Sequence, residues 1–415
     1  MPSSSDRPVV IVGAGLAGLS CAATLHRADV PVVVIESSDG IGGRVRTDKV
    51  DGFLLDRGFQ VLLTAYPELD RQLNIAALEL EDFESGALIK TEDGLFELGD
   101  PLKQISSLLP TIRTAVSRSV ATPSDLVRLL SLRVRLARTE VPELLRGPDV
   151  ATIDALTSLG FSSKFINNFF RPLVGGIQLD LGLHSSARMF DTILKMLFAG
   201  SAAVPRHGMQ AISEQLAGQI PEHSIHLQAP VRSVSASAVR VDSGEIAASS
   251  VVIATDGNTA ADFLGRPTST PRSAACVWFD APEAPTDRRL IVLDGSRSGP
   301  IANVAVMSNV SSRYSPPGRH LIAAAAPGYT GGDIERQARA QLTSWWGPSV
   351  DGWSTLRVDQ ISYGQPDQSP QFSPKQSIEV EPGLFVCGDH RDTGSIQGAL
   401  FSGRRCAEAI LHGRK

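Results

Sequence analysis

The chain begins and ends with short apolar runs, each followed by a glycine-rich turn and a helical pattern. Val9–Val12 and Val32–Ile35 have the length of buried parallel strands, and Leu16–His26 between them has helical periodicity. Near the C-terminus, residues 384–387 form another apolar run and residues 395–411 another helical pattern. These patterns predict a βαβ unit at the start of the chain and a strand–helix unit at its end.

The middle of the chain is predicted to contain two different kinds of segment. Residues 76–199 have mainly helical patterns, whereas residues 266–354 are richer in strand patterns. Between them, residues 225–256 are predicted to form strands separated by turns, with a last apolar run at 251–254. The chain is therefore predicted to combine parallel and antiparallel sheets with helices.

Composition excludes several classes of protein. A chain of 415 residues with 42% hydrophobic and 20% charged residues is long enough for two globular domains. The net charge of −5 argues against general nucleic-acid binding. Four cysteines without a C-x-x-C pair favour a reducing, cytoplasmic location, and no strong metal-ligand spacing occurs, so we expect no metal. No signal-peptide pattern and no uninterrupted run of 18 apolar residues is seen, so we expect no membrane-spanning helix.

The first glycine-rich turn has the spacing G-x-G-x-x-G between a strand and a helix. Gly13 makes the tight turn, Gly15 lets the backbone approach a pyrophosphate, and Gly18 lets the helix pack close to the strand. The N–H groups at the start of the helix then favour phosphate charge. The cofactor contacts expected in this turn are Gly13, Ala14, Gly15, Leu16, Ala17 and Gly18.

An acidic residue and a second glycine turn follow the second strand. Glu36, with Ser37 beside it, can accept hydrogen bonds from both ribose hydroxyls of an adenosine. Gly42, Gly43 and Arg44 form the second turn, and Arg44 can pair with a pyrophosphate. A simple nicotinamide dehydrogenase has no need of this turn, whereas a cofactor with a pyrophosphate–ribitol arm does. The pattern therefore favours FAD over NAD.

The stretches VGAGLAGL and VIESSDGIGGRVRTD resemble the opening of the flavin-containing amine oxidase, protoporphyrinogen oxidase and carotenoid (phytoene) desaturase superfamily. The resemblance implies bound FAD and an α/β fold. A Rossmann-type FAD-binding domain with a parallel sheet and a β-meander would be interleaved with an α+β substrate-binding domain. Residues 1–75, 200–265 and 355–415 would form the FAD-binding domain, and residues 76–199 and 266–354 the substrate-binding domain.

The C-terminal glycine segment resembles the closing motif of the same superfamily. The resemblance implies that Gly388 and Asp389 meet the flavin ribitol. The backbone N–H groups of Ile396, Gln397 and Gly398 would then face the N1–C2=O edge of the flavin. A helix N-terminus suits this edge, because a reduced flavin carries negative charge near N1. The two glycine segments are therefore predicted to bind the two ends of one cofactor.

Three further cofactor contacts are implied by the resemblance. The backbone at Val231 would meet the adenine. Phe59 and Gln60, which follow a G-x-x-x-D-x-G pattern at residues 52–58, would lie beside the flavin ring. Packing of Phe59 in the core is an equal alternative. The sequence identifies no catalytic acid or base.

The superfamily transfers hydride between a substrate carbon and flavin N5. Residues 170–176 and 311–322 look more like the branch that acts on large apolar substrates such as isoprenoids or polyenes, which is the favoured reading. An amine oxidase that produces an imine and hydrogen peroxide is the first alternative, although the C-terminal motif lacks an aromatic residue typical of that branch. A porphyrinogen oxidase, a flavin-dependent isomerase and a non-redox FAD-binding protein are the others. The electron acceptor would be oxygen, a quinone or NAD(P).

One predicted helix, at residues 124–147, is both basic and amphipathic. It begins with a Ser124/Asp125 cap and interleaves leucines with arginines. Such helices can lie on a membrane surface, which would give peripheral membrane contact. An ordinary helix with a solvated arginine face is the competing interpretation.

Overall fold

A computed structural model describes residues 7–329 and 331–413. The strands are β1 (Val9–Val12), β2 (Val32–Ile35), β3 (Thr47–Val50), β4 (Phe53–Asp56), β5 (Leu62–Leu63), β6 (Leu80–Asp82), β7 (Gly86–Thr91), β8 (Gly94–Gly99), β9 (Ala202–Pro205), β10 (Ile225–His226), β11 (Val231–Val234), β12 (Ala238–Val241), β13 (Gly244–Ala247), β14 (Ser250–Ile253), β15 (Arg272–Ala281), β16 (Ile291–Asp294), β17 (Asn303–Val306), β18 (His320–Pro327), β19 (Ser354–Gln365), β20 (Glu379–Glu381) and β21 (Leu384–Val386). The α-helices are α1 (Leu16–His26), α2 (Pro67–Gln72), α3 (Leu108–Ser117), α4 (Pro123–Arg138), α5 (Val141–Leu144), α6 (Thr152–Ser158), α7 (Ser163–Phe165), α8 (Arg171–Ile177), α9 (Ala187–Ala199), α10 (Gln210–Ala217), α11 (Gly257–Phe263), α12 (Met307–Val310), α13 (Ile334–Trp346) and α14 (Ile396–Gly413).

The two ends of the chain meet in a six-stranded sheet with the order β10-β2-β1-β14-β21-β20. All neighbours pair in parallel except β20 and β21. The sequence predicted β1, α1 and β2 with the bounds that the structure has. Helices α1 and α14, from opposite ends of the chain, pack against each other on one face of this sheet.

Strand β1 is buried on both faces, which explains its unbroken apolar run. Val9 and Ile11 belong to the core that contains α1 and α14. Val10 and Val12 belong to a second core, which the antiparallel β11–β12–β13 meander covers. The predicted β-meander is thus present, and it forms the second layer on this sheet.

A seven-stranded sheet with the order β19-β15-β18-β17-β16-β7-β8 forms the other large layer. Strand β15 pairs antiparallel with β18 on one side and with β19 on the other. Residues 355–415 were assigned to the FAD-binding domain from the sequence, and β19 at the start of this range pairs with β15 in the seven-stranded sheet. Periodicity identifies a strand but does not say which sheet it joins. The wider division into two domains stays a prediction.

Residues 76–199 are mainly helical, as predicted, but they also supply the hairpin β7–β8 to the seven-stranded sheet. A π-helical turn at Ile166–Phe170 joins α7 to α8. Phenylalanines of this turn and of α9 pack edge to face, with ring centroids of Phe170 and Phe190 5.7 Å apart. These helices form one core against β7 and β16.

Helix α4 confirms the basic helix but corrects both of its ends: α4 stops at Arg138, and the short helix α5 follows at Val141–Leu144. Thr122, and not Ser124, is the N-cap residue. Its hydroxyl accepts the N–H of Asp125, and the Asp125 carboxylate accepts the N–H of Thr122, which completes a capping box. Across the described ranges, we find no helix that is both long enough and apolar enough to cross a bilayer.

Candidate active site

A cavity of about 640 Å³ lies where the six-stranded sheet faces the seven-stranded sheet. The carboxyl ends of β1, β2, β14 and β21 open into it, as expected for a ligand site on a parallel sheet. Most of the residues predicted from the sequence line it: Gly13, Gly15, Leu16, Ala17, Glu36, Ser37, Gly42, Gly43, Arg44, Phe59, Gln60, Val231, Gly388, Asp389 and Ile396. The structure therefore brings both glycine segments to one cavity. Ala14, Gly18, Gln397 and Gly398 lie behind this lining.

The first glycine turn fits a pyrophosphate. Gly13 has φ = 110°, and a Cβ on Gly18 would lie 2.0 Å from the Gly13 carbonyl oxygen, so helix and turn touch there. A Cβ on Gly15 would meet no atom within 4 Å and would project into open space. No side chain caps the start of α1 at Gly15, so its first N–H groups remain for a ligand.

The acidic end of the cavity is held by backbone hydrogen bonds. The N–H of Ala14 donates to Glu36 Oε2 at 2.8 Å, and the N–H of Ser38 donates to Oε1 at 2.9 Å. The N–H of Gly42 donates to the Ala14 carbonyl at 2.8 Å, which joins the second glycine turn to the first. Glu36 is thereby fixed at the end of β2, where an adenosine ribose would need an acceptor. Ala14 orients this carboxylate.

Arg44 and Asp389 form an ion pair in the wall of the cavity. From the sequence, Arg44 was expected to contact the pyrophosphate and Asp389 the ribitol. The guanidinium donates two hydrogen bonds to the carboxylate, at 2.7 and 2.8 Å. It also donates to the Gly364 carbonyl at 2.8 Å and lies 5.5 Å from the ring centroid of Tyr363. Burial acts to lower the pKa of Arg44, but the Asp389 carboxylate outweighs it and raises the pKa above its usual value. Arg44 therefore stays cationic in the cavity wall.

The start of α14 presents fewer free donors than expected. The N–H of Gly398 donates to Ser395 Oγ at 3.0 Å, which leaves the N–H groups of Ile396 and Gln397 for a ligand. A Cβ on Gly398 would lie 1.9 Å from the Thr393 carbonyl oxygen, so this glycine allows the close approach of helix and turn. The Gln397 side chain points away from the cavity and accepts the N–H of Glu68.

Phe59 and Gln60 lie on the cavity wall between the glycine turns and the second sheet. Gln60 Nε2 donates to the carbonyls of Arg44 and Arg57 at 2.7 and 2.9 Å, which ties this segment to the second glycine turn. The Phe59 ring packs edge to face on Phe83, with centroids 6.4 Å apart. Phe59 thus both lines the cavity and packs on its neighbours.

Several residues of the cavity wall were not predicted from the sequence. Thr255 and Asp256 follow β14, and Tyr363 lies on β19. The position of Thr255 and Asp256 directly after a parallel strand was the signal that could have found them. Tyr363 could not be found in this way because it comes from the other sheet. Its hydroxyl accepts the N–H of Gly257 at 3.1 Å, and burial raises its pKa to about 12.

Helices α8 and α9 and the seven-stranded sheet enclose the other part of the cavity, which we call the apolar chamber. It is lined by Pro172, Leu173, Gly176, Ile177, Met189, Ile193, Leu197, Ala274, Ala275, Cys276, Ile291, Leu293, Asn303, Ala325, Pro327 and Ile361. None of these side chains is charged. Asn303 is an amide among them; it is 6% exposed, and its Oδ1 has no hydrogen-bond partner within the described part of the chain. A second amide of the cavity lining, Gln365, donates from Nε2 to the Ile177 carbonyl at 2.7 Å.

Asp56, which is buried, and His390, which is partly buried, are titratable groups outside the cavity lining. Burial raises the pKa of Asp56 to about 6, although its carboxylate accepts hydrogen bonds from Thr47, Met209 and Tyr314. Burial lowers the pKa of His390 to about 4, so this imidazole is neutral at neutral pH. Within residues 7–329 and 331–413, no group of three or more His, Cys, Asp or Glu side chains has the arrangement of a metal site.

Comparisons with known proteins agree with this geometry. The model of the flavin containing amine oxidoreductase family matches residues 16–411. Two solved structures share the fold along the chain. An oxidoreductase from Methanosarcina mazei has a TM-score of 0.73 and 16% identity over 98% of this chain and 100% of that one. Cyclohexylamine oxidase from Brevibacterium oxydans has a TM-score of 0.70 and 16% identity over 99% of both chains.

Curated relatives match shorter segments. Putrescine oxidase from Kocuria rosea is 27% identical over 249 residues, which is 55% of this chain and 49% of the relative. Phytoene desaturase from Cercospora nicotianae is 34% identical over 101 residues, which is 23% of this chain and 16% of the relative. The chain thus spans about half the length of the first relative and less of the second. The match to the family model along most of its length shows that the chain belongs to the flavin containing amine oxidoreductase family, whose cofactor is FAD.

Proposed function

We propose that this protein transfers hydride between a carbon atom of a large apolar substrate, of isoprenoid or polyene type, and N5 of bound FAD. The observation that carries the proposal is the lining of the apolar chamber, which has aliphatic side chains from α8, α9 and the second sheet and no charged group. Burial of an apolar chain in such a chamber is favourable by about 25 cal/mol of free energy per Å² of apolar surface removed from water. A cationic amine would lose its hydration there without gaining a carboxylate partner.

The roles of the protein are positioning and exclusion of water. Bound FAD supplies a two-electron acceptor or donor. Glu36 and the helix starts at Leu16 and Ile396 would hold its two ends, and Arg44 and Asp389 are paired in the cavity wall. The aliphatic residues of α9 close the chamber and keep water from the reacting carbon. The electron acceptor would be oxygen, a quinone or NAD(P).

An amine oxidase is the second candidate. It is favoured by the relatives named putrescine oxidase and cyclohexylamine oxidase. Under this alternative, a neutral amine would enter the chamber and Asn303 would be its hydrogen-bond partner. The absence of a lining carboxylate in the chamber is the argument against it.

Anaerobic titration of the FAD-loaded protein, followed by flavin absorbance, separates the candidates. One panel contains isoprenoids and polyenes, and the other contains primary amines and diamines. Bleaching by the first panel alone supports the proposal. Bleaching by amines alone would replace it with the amine oxidase.

The reverse reaction needs a second arm of the same experiment. The flavin is first reduced with dithionite, and unsaturated members of the apolar panel are then added without oxygen. Return of the oxidised flavin spectrum indicates a saturase that runs the same hydride transfer backwards. Isomerised substrate with the flavin still reduced would favour an isomerase and contradict the proposal.

A further inference from the structure

The exposed apolar side chains of this protein are concentrated in one short segment. Among the described residues, thirteen large hydrophobic side chains are exposed, and nine of them lie between residues 102 and 134. We call these nine the apolar patch: Leu102, Ile105, Leu108, Leu109, Ile112, Val116, Val127, Leu130 and Val134. Ile105 is 83% exposed and Val116 is 74% exposed. A patch of this kind marks an interaction surface.

Helix α3 is polar on its inner face and apolar on its outer face. Thr111 Oγ1 accepts the N–H of Gly99 at 3.0 Å, and Thr114 Oγ1 donates to the Glu97 carbonyl at 2.6 Å. Both bonds cover backbone groups of β8, the edge strand of the seven-stranded sheet. Leu108, Leu109, Ile112 and Val116 are left outside. A helix that folds only against its own protein in water shows the reverse pattern.

Helix α4 has two apolar stripes. Leu132 and Leu136 are buried in the core against α9. Val127, Leu130 and Val134, spaced three and four residues apart, form a second stripe on the exposed side. The first stripe explains the fold of the helix. The second is in excess of what the fold requires, and α4 packs beside α3.

The charge around the patch is strongly positive. Residues 101–138 contain seven Lys or Arg residues and one acidic residue, in a chain whose net charge is −5. Arg133 and Arg135 are paired with Asp100 and Asp191. The other five cations have no carboxylate within ion-pair distance in the described ranges: Lys103, Arg113, Arg118, Arg128 and Arg138. Exposed aliphatic groups with unpaired cations beside them match the chemistry of an anionic lipid surface.

We propose that α3, α4 and the segment before α3 dock on an anionic lipid membrane as a peripheral surface. The apolar patch would enter the headgroup–acyl boundary, and the surrounding Lys and Arg residues would contact lipid phosphates. Docking does not depend on the function proposed above. Helix α9 packs against α4 on one side and lines the apolar chamber on the other. If the proposed function is correct, the membrane is therefore also the source of the substrate.

Flotation with vesicles tests the proposal on the full-length, FAD-loaded protein. Vesicles of phosphatidylcholine with 30 mol% phosphatidylglycerol are compared with vesicles of phosphatidylcholine alone. The first test variant combines Ile105→Ser, Leu109→Gln, Ile112→Gln and Val116→Gln. Its matched control combines Val150→Gln, Leu159→Gln and Leu227→Gln, which change apolar residues of 41–42% exposure outside the patch.

Charge is tested with a second pair of variants. Arg113→Glu with Arg118→Glu reverses two cations of the docking surface, and Lys49→Glu with Arg313→Glu reverses two exposed cations elsewhere. We expect the unmodified protein to float with anionic vesicles and much less with neutral ones. Both patch variants should bind at least about tenfold more weakly, whereas both controls should bind as the unmodified protein does.

Three results would overturn the proposal. The unmodified protein could stay unbound with anionic vesicles. The patch variants could float as well as their controls. Light scattering could show a dimer that the first test variant converts to a monomer while no form of the protein floats, in which case a second copy covers the patch. Circular dichroism and flavin absorbance of each variant confirm that it is folded.

Discussion

Gly15 and Gly18 belong to the same motif, but the structure gives them different tasks. A side chain on Gly15 would meet no protein atom, whereas a side chain on Gly18 would collide with the Gly13 carbonyl. Gly15→Ala should therefore fold normally and lose FAD, because its methyl group occupies the approach to the pyrophosphate. Gly18→Ala should lower the melting temperature of the apoprotein itself. Flavin content per chain and apoprotein melting curves check both outcomes, and equal loss of stability in the two variants would contradict them.

Asp56 gives a pH dependence with a definite sign. Its pKa is raised to about 6 in the folded protein, against about 4 in an unfolded chain. Between these values the folded state binds more protons than the unfolded state, so the contribution of Asp56 to stability is full below pH 4 and is lost as the pH rises through 6. Asp56→Asn removes this titration. We expect the free energy of unfolding of the variant, relative to the unmodified protein, to rise by about 2 kcal/mol from pH 4 to pH 7.

Asp48→Asn is the matched control for this measurement. Burial acts to raise the pKa of Asp48, but its bonds to Arg57 and the nearby charge of Arg357 lower it overall. Its contribution to stability is therefore present above its unfolded pKa and is lost in acid, opposite to Asp56. Chemical denaturation at several pH values should show opposite trends for the two variants. A constant difference between Asp56→Asn and the unmodified protein would refute the assignment.

Single residues can be placed from the sequence where the chemistry is local. Gly13, Gly15 and Glu36 are specified by spacing within one βαβ unit, and all three line the cavity, whereas Gly18 lies behind them. Their contacts with a cofactor stay a prediction. The ion pair between Arg44 and Asp389 could not be predicted, because the two residues are 345 positions apart and meet only in the folded chain. Asn303 was also not predicted, because it lies on β17 and reaches the cavity only when the second sheet has folded.

At the scale of elements, the turn between β21 and α14 packs directly on the start of α14. Gly388, two residues after β21, donates its N–H to Ser402 Oγ, and Gly398 touches the Thr393 carbonyl. Gly398→Ala should displace the start of α14 and weaken its stabilisation of negative charge on reduced flavin. We expect a lower midpoint potential of bound FAD, measured by dye equilibration. Gly413→Ala, at the open end of the same helix, is the control, and an unchanged potential in Gly398→Ala would contradict this role.

Buried parallel strands could be predicted from the sequence, whereas the sheet that β19 joins could not. Unbroken apolar runs identified β1 and β2 because both faces of these strands are covered. Strand β19 has a less distinctive pattern with half-exposed positions, and its partner β15 is about eighty residues earlier in the chain. The start of α4 was shifted because Thr122, Ser124 and Asp125 are all good cap residues, and only the folded backbone selects Thr122.

At the scale of the whole molecule, the apolar chamber predicts how substrate affinity responds to charge. Leu197 of α9 is half-buried and lines the chamber, whereas Ala199 on the same helix is exposed. Leu197→Asp should weaken the binding of apolar substrates at least about tenfold, because a carboxylate next to an apolar ligand loses hydration without a partner. Ala199→Asp should leave it unchanged. The dissociation constant from anaerobic flavin titration measures both, and equal affinity in the two variants would count against the chamber as the substrate site.

The central claim is that two glycine segments nearly 400 residues apart form one FAD site. A crystal structure of the FAD-loaded protein tests it most directly. In that structure the adenosine ribose hydroxyls should lie on Glu36, the pyrophosphate on the first turn of α1, and the N1 edge of the flavin at the N–H groups of Ile396 and Gln397. An FAD that binds with its flavin ring away from the start of α14, or with its ribose away from Glu36, would contradict it.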